Sequence, residues 1–148
     1  MIFSFDNEIE TLLFLLPKVI IATICGIIIG WERETKKMAA GIRTHVLICV
    51  SVALFTSVGF IITKTIPLSD PTRIIGQIIS SVGFLCIGII FKQDDKIHGI
   101  TSSAFIFFIT SIGVMIGVGY LLIAITLTIG LLLLSMILSK IEQKLKLK

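Results

Sequence analysis

Acids and bases crowd one short stretch of this chain. Residues 26–45 read GIIIGWERETKKMAAGIRTH, and Glu32, Arg33, Glu34, Lys36, Lys37, Arg43 and His45 all fall inside it. The stretch opens where one long apolar run ends and closes where the next begins. Ionisable groups set against such runs form either a solvated loop or a folded polar site, and the second kind carries ion or proton chemistry. If the helix continues past Trp31, Glu32 and Lys36 become an i,i+4 pair, with Arg33 and Lys37 on the next face. A loop that folds back would bring Arg43 against Glu32 or Glu34, so an ion pair is expected there. Thr44 is expected to cap the following helix through its hydroxyl. His45 should then lie in that helix's first turn, where the dipole disfavours its charged form.

A second polar set surrounds Asp70-Pro71-Thr72-Arg73. Asp suits the N-cap and Pro the first helical position. Arg73, Gln77, Ser80 and Ser81 follow within the apolar segment, and polar groups there need partners in the protein. Interhelical hydrogen bonding and a polar cavity both fit. A conduction path would require Gln77 and Ser80 to face the same cavity as Arg73. A regulatory protein would satisfy Gln77 from a neighbouring helix, and this is the expected arrangement. The onward step through Val82, Phe84, Leu85, Ile87, Ile89 and Ile90 is apolar. A third set, Thr101-Ser102-Ser103, opens the next segment with hydroxyls that bond back to the backbone or line a site. Glu32, Arg43 and Thr101 are expected at one end of the bundle, and Asp70 and Arg73 about 30 Å away at the other.

The elements that position these groups follow from composition. Of 148 residues 55% are hydrophobic and only 15% charged, against about a quarter in soluble domains. The apolar excess lies in blocks long enough to cross a bilayer, which takes roughly 20 residues each. The expected fold is an all-α integral membrane protein, one domain over residues 1–148. Five transmembrane helices are placed at about 11–31, 45–63, 74–91, 99–116 and 119–139, the last two split near Gly113, Gly117 and Gly119. Lys18 is expected to snorkel outward from the start of the first span.

Lys and Arg distribution sets the expected orientation. Arg33, Lys36, Lys37, Arg43, Lys92, Lys96, Lys140, Lys144, Lys146 and Lys148 fall on one side of this arrangement, and only Lys18, Lys64 and Arg73 on the other. The positive-inside rule then puts the N-terminus outside and the C-terminus, with Lys36 and Lys148, in the cytoplasm. The acidic N-terminal stretch with Asp6, Glu8 and Glu10 lacks the basic region of a cleaved signal peptide. The net charge of +4 is explained by orientation, and no nucleic-acid motif accompanies it. Cys25, Cys49 and Cys86 lie within spans without metal-ligand spacing and suit apolar packing. Gly26/Gly30 and Gly113/Gly117 are GxxxG pairs that allow close helix approach, within the chain or between copies. No nucleophile–base pair is evident, so no enzyme and no cofactor is expected.

In order, these motifs resemble the membrane domain of the MgtC/SapB family. The resemblance rests on GxxxGxERE at 26–34, GIRTH at 41–45, DPTR at 70–73, Gln77, SSVGFL at 80–85, Gly99-Ile100-Thr101 and Gly113. It adds Gly83 to the candidate packing glycines. It implies a five-helix bacterial inner-membrane protein of magnesium homeostasis, in a family whose best-known members are virulence factors that restrain the F-type ATP synthase. Longer members add a cytoplasmic domain resembling an ACT domain, so the resemblance implies the membrane domain alone here. Ser81, Cys86, Ile87, Phe105, Phe107 and Ile109 depart from the family's smaller or different residues, which implies altered packing or a changed partner surface.

The expected function is therefore magnesium or ion homeostasis through membrane protein partners, such as the ATP synthase, as a homo-oligomer in the bilayer. The alternative is an oligomeric ion transporter or channel, with a path lined by Glu32, Glu34, Asp70 and Arg73. The metal is unassigned.

Overall fold

The computed structural model describes residues 5–66, 69–93 and 96–146. Five helices and one small hairpin follow in order: α1 (Phe5–Thr35), α2 (Ile42–Thr65), α3 (Pro71–Ile87), β1 (Phe91–Gln93), β2 (Lys96–His98), α4 (Ile100–Val118) and α5 (Leu121–Lys146). All five expected helices are present. Four of them, α1, α2, α4 and α5, are long and apolar enough to cross a membrane. Lys148 lies outside the described residues.

Local chemistry sets the helix ends. At the end of α1 Lys37 takes φ 54°. Lys37 N–H bonds the Glu34 carbonyl at 2.9 Å and Met38 N–H bonds that of Arg33 at 3.0 Å, a Schellman closure built on a non-glycine residue. Helix α2 then starts at Ile42, not at Thr44. Its N-cap is Gly41, whose missing side chain leaves room for Glu34. The Glu34 Oε2 atom accepts from Ile42 N–H at 2.9 Å, so a carboxylate borrowed from α1 does the work expected of the Thr44 hydroxyl. Helix α3 begins as its sequence implies. Pro71 is the first helical residue, and Asp70 accepts from Thr72 N–H at 2.9 Å and from the Thr72 hydroxyl at 2.6 Å.

The third span differs from expectation. Helix α3 stops at Ile87, a turn follows at Gly88–Ile89, and Phe91 enters the hairpin, paired with His98. The two rings stack with centroids 5.5 Å apart. At 17 residues, α3 is about 26 Å long, short of the roughly 30 Å hydrocarbon core. Helices α4 and α5 are separated as expected, by Gly119 at φ 113° and Tyr120, whose N–H bonds the Met115 carbonyl at 2.9 Å.

Glycines bring the helices together. A Cβ at Gly26 would lie 2.6 Å from the Val46 Cα, and one at Gly30 2.5 Å from the Ile42 Cα. Both approaches are between backbones, which fixes α1 antiparallel to α2. Gly113 meets Cys49 and Val52, and Gly117 meets Ala53 and Thr56, which sets α4 parallel to α2. Both GxxxG pairs are therefore consumed inside one chain, and the expected homo-oligomer cannot form through them. A Cβ added at Gly83 would meet nothing within 4 Å among the described residues, so no close helix approach occurs there. The central core joins Cys25 and Ile29 of α1, Cys49 and Ala53 of α2, Ile109, Ile112 and Ile116 of α4, and Ala124 and Leu131 of α5. Helix α3 lies outside it, seated by Ile78 and Val82 on Val52 and Ile106.

Candidate functional site

One polar cluster ties the end of α1 to the middle of α5. Glu32 and Arg33 are neighbours on the last turns of α1, and α5 brings Ser135 to them across 102 residues of sequence. Arg33 Nε donates to Glu32 Oε2, and its Nη2 donates to Glu32 Oε1 at 2.6 Å and to Ser135 Oγ at 2.8 Å. Ser135 in turn donates to Glu32 Oε1 at 2.9 Å. Lys36 completes the i,i+4 pair with Glu32 Oε1 at 2.5 Å. The Arg33 guanidinium lies over the Phe105 ring of α4, 3.8 Å from its centroid, which favours a desolvated cation. The side chain of Arg33 is 4% exposed and that of Glu32 14%. This is a folded polar site rather than a solvated loop. Both Glu32 oxygens are committed to the protein's own cations and hydroxyl.

His45 is fully buried one layer further in. Its Nδ1 lies 2.8 Å from the Gly41 carbonyl, and a carbonyl only accepts, so Nδ1 carries a hydrogen. Its Nε2 has no hydrogen-bond partner among the described residues.

A second buried cation sits nearer the opposite end. Lys18 is 5% exposed, donating to the Gly117 carbonyl at 2.7 Å and to Ser57 Oγ at 3.1 Å, with its ammonium 3.9 Å from the Phe14 ring centroid. It does not snorkel outward. Helix α1 begins well before it, and α4 ends there, presenting a carbonyl that the helix itself cannot satisfy. A cation at that C-terminus is favoured by hydrogen bonding and by the dipole. Lys18 and Arg33 are fifteen positions apart on α1, about 22 Å, with the apolar core between them.

The third feature is an open groove of about 590 Å³ between α2 and α3. Arg73, Gln77 and Ser81 line it along one stripe of α3, facing Ser51 and Phe55 of α2. Ser80 is not on that stripe and bonds back to the Gly76 carbonyl at 3.2 Å. Gln77 therefore lines the same cavity as Arg73, and, against the expectation, no described residue of a neighbouring helix hydrogen-bonds its amide. Beside this stripe, Asp70 is fully exposed, and its bonds from the Thr72 hydroxyl and then the Thr72 N–H hold its carboxyl below the usual range.

The remaining expected residues scatter. Arg43 is exposed and makes no ion pair among the described residues, because Glu32 is taken by Arg33 and Lys36, and Glu34 by the start of α2. Glu34 lines a separate hollow of about 210 Å³ with Trp31, Thr35 and Ile42. Thr101 is exposed, whereas Ser102 and Ser103 are buried. Ser103 Oγ donates to the Cys86 carbonyl at 3.1 Å, tying α4 to the end of α3. Among the described residues these polar groups do not form one cluster: Arg73 lines the α2–α3 groove, Glu34 the smaller hollow, and Glu32 and Asp70 line neither. Ser135, Phe105 and Lys18 are the site residues that sequence reasoning missed. A lone hydroxyl or cation in an apolar run calls for a partner, but nothing local names one a hundred residues away.

Residues 19–144 match the model of the MgtC family. Protein MgtC of Brucella abortus is 32% identical over 125 residues, 84% of this chain and 51% of that protein. Protein SapB of Bacillus subtilis is 38% identical over 112 residues, covering 72% and 48%. A relative from Escherichia coli K12, YhiD, provisionally named a magnesium transporter, is 38% identical over 111 residues, covering 72% and 51%. The chain spans about half the length of these curated relatives. No solved structure matches it.

Proposed function

The chain belongs to the MgtC family, and from that premise we propose that it is a non-enzymatic protein of magnesium homeostasis in the bacterial inner membrane, acting on membrane protein partners. Four membrane-length apolar helices and the family make it a multi-pass membrane protein. One observation carries the regulatory reading. The acid best placed to meet a cation, Glu32, already spends both oxygens on Arg33, Lys36 and Ser135. A magnesium ion prefers oxygen ligands in near-octahedral array and would have to break that network. The cluster thus works as a latch holding α1, α4 and α5 in register, and the exposed basic ends beside it, Arg43 and Lys144 among them, are left for a partner such as the F-type ATP synthase.

Transport is the second reading, favoured by the provisional name of the E. coli relative and by the stripe of Arg73, Gln77 and Ser81 in one groove. Magnesium flux into proteoliposomes, run beside affinity capture of membrane partners, separates them. A stoichiometric partner without flux is expected. Flux from the purified chain, abolished by Gln77→Leu, would reverse the order of the two readings.

A further inference from the structure

The transport reading uses only the polar stripe of the α2–α3 groove, and neither reading uses its apolar wall. It is apolar over most of its wall, with Leu47, Val52, Phe55, Ile78 and Leu85 facing inward. Its one charged lining residue, Arg73, stands at the end where α3 begins. The Arg73 guanidinium makes no hydrogen bond and no close ion pair among the described residues; the Asp70 carboxylate is turned to Thr72 but lies near enough to feel its charge.

We propose that the groove is a site for one anionic phospholipid, its phosphate on Arg73 and one acyl chain along α3 toward Leu85. Size decides between occupants. A transmembrane helix of about 30 Å by 10 Å displaces on the order of 2,000 Å³, several times the groove's roughly 590 Å³. A single lipid chain is the slimmer guest, and pockets of about 300–1,000 Å³ hold one small molecule. Length agrees. Arg73 and Leu85 are twelve positions apart, about 18 Å along the helix, and one leaflet of a roughly 30 Å core is about 15 Å deep. Charge agrees as well, since a guanidinium offers paired N–H donors that match a phosphate. Gln77 lies about one turn below Arg73, at the depth where ester carbonyls follow a phosphate, and its amide has no hydrogen-bond partner among the described residues. The lipid would also complete α3, which is too short to fill the hydrocarbon alone.

Native mass spectrometry of the full chain, released from micelles doped with phosphatidylglycerol, tests this. One retained lipid per chain is expected. Arg73→Ala should lower its occupancy about fivefold, the worth of one basic contact with an anionic headgroup of roughly 1 kcal/mol. Ser81→Trp, which fills the groove at an exposed position, should abolish retention without lowering the melting temperature. Unchanged retention in either variant would overturn the proposal. So would a second copy of the chain bound in place of lipid, or labelling of a Ser81→Cys variant by a charged thiol reagent in lipid nanodiscs, which would mean the groove holds water. None of these outcomes bears on partner capture, so this idea can fail while the regulatory reading stands.

Discussion

Arg33 and Arg43 stand ten positions apart in one charged stretch, yet the fold treats them differently. Arg33 is buried, bonded to Glu32 and Ser135 and stacked on Phe105, while Arg43 is exposed. Removing one partner of a buried charge pair strands the other, at a cost of about 3–5 kcal/mol. An exposed charge contributes less than about 1 kcal/mol. Thermal unfolding in detergent should therefore show a large loss for Arg33→Ala and almost none for Arg43→Ala, and equal melting temperatures would refute the latch. Ser135→Ala should fall between, at about 1–3 kcal/mol, because it leaves buried polar groups short of a partner. Lys18→Met should cost a similar amount, read in the same assay, by opening the α4 terminus. At this scale the sequence named the chemistry but not the pairings. Glu32 with Lys36 was legible because helical spacing alone makes it. Arg33 with Ser135, and Lys18 with Gly117, were hidden because tertiary packing makes them.

Helix packing turns on where the glycines meet something. Gly30 approaches the Ile42 backbone, whereas Gly130 of α5 and Gly76 of α3 have nothing within 4 Å of an added Cβ. Alanine at Gly30 must push α1 from α2 and should cost roughly 1–3 kcal/mol. Alanine at Gly130 should be neutral or stabilising by up to about 1 kcal/mol, since it only improves helix propensity. A melting series over these two variants checks the assignment, and a loss at Gly130 as large as at Gly30 would indicate an interface on α5. Element boundaries divide in the same way. Asp70 and Pro71 announced the start of α3, because capping is local chemistry. Its end was misplaced because Phe91 extends the apolar run, and a short apolar run does not say whether it is helix or strand. The start of α2 was missed at Thr44 because its cap comes from Glu34, one helix earlier.

Seen whole, the bundle gathers most of its basic residues at one end, with Lys18 and Arg73 toward the other. Lys36 closes α1, Arg43 opens α2 and Lys144 ends α5, while Tyr120 marks the opposite turn. In a chain without its native cysteines, Lys36→Cys and Lys144→Cys should react with an impermeant thiol reagent from the same side, and Tyr120→Cys from the other. By the positive-inside rule the first side is expected to be the cytoplasmic one. Labelling of Lys144→Cys in intact cells would invert that orientation.

The two buried cations also bear on how the protein is made. Lys18 is held by a carbonyl 99 residues downstream and Arg33 by a hydroxyl 102 residues downstream. At about 5–20 residues per second, α1 leaves the ribosome roughly 5–20 s before either acceptor exists. Helix α1 is thus finished first and locked last. An insertion intermediate holding only α1 to α3 already has Ser57 for Lys18 and Glu32 for Arg33, and the arrival of α4 and α5 adds the two distant acceptors that complete each set.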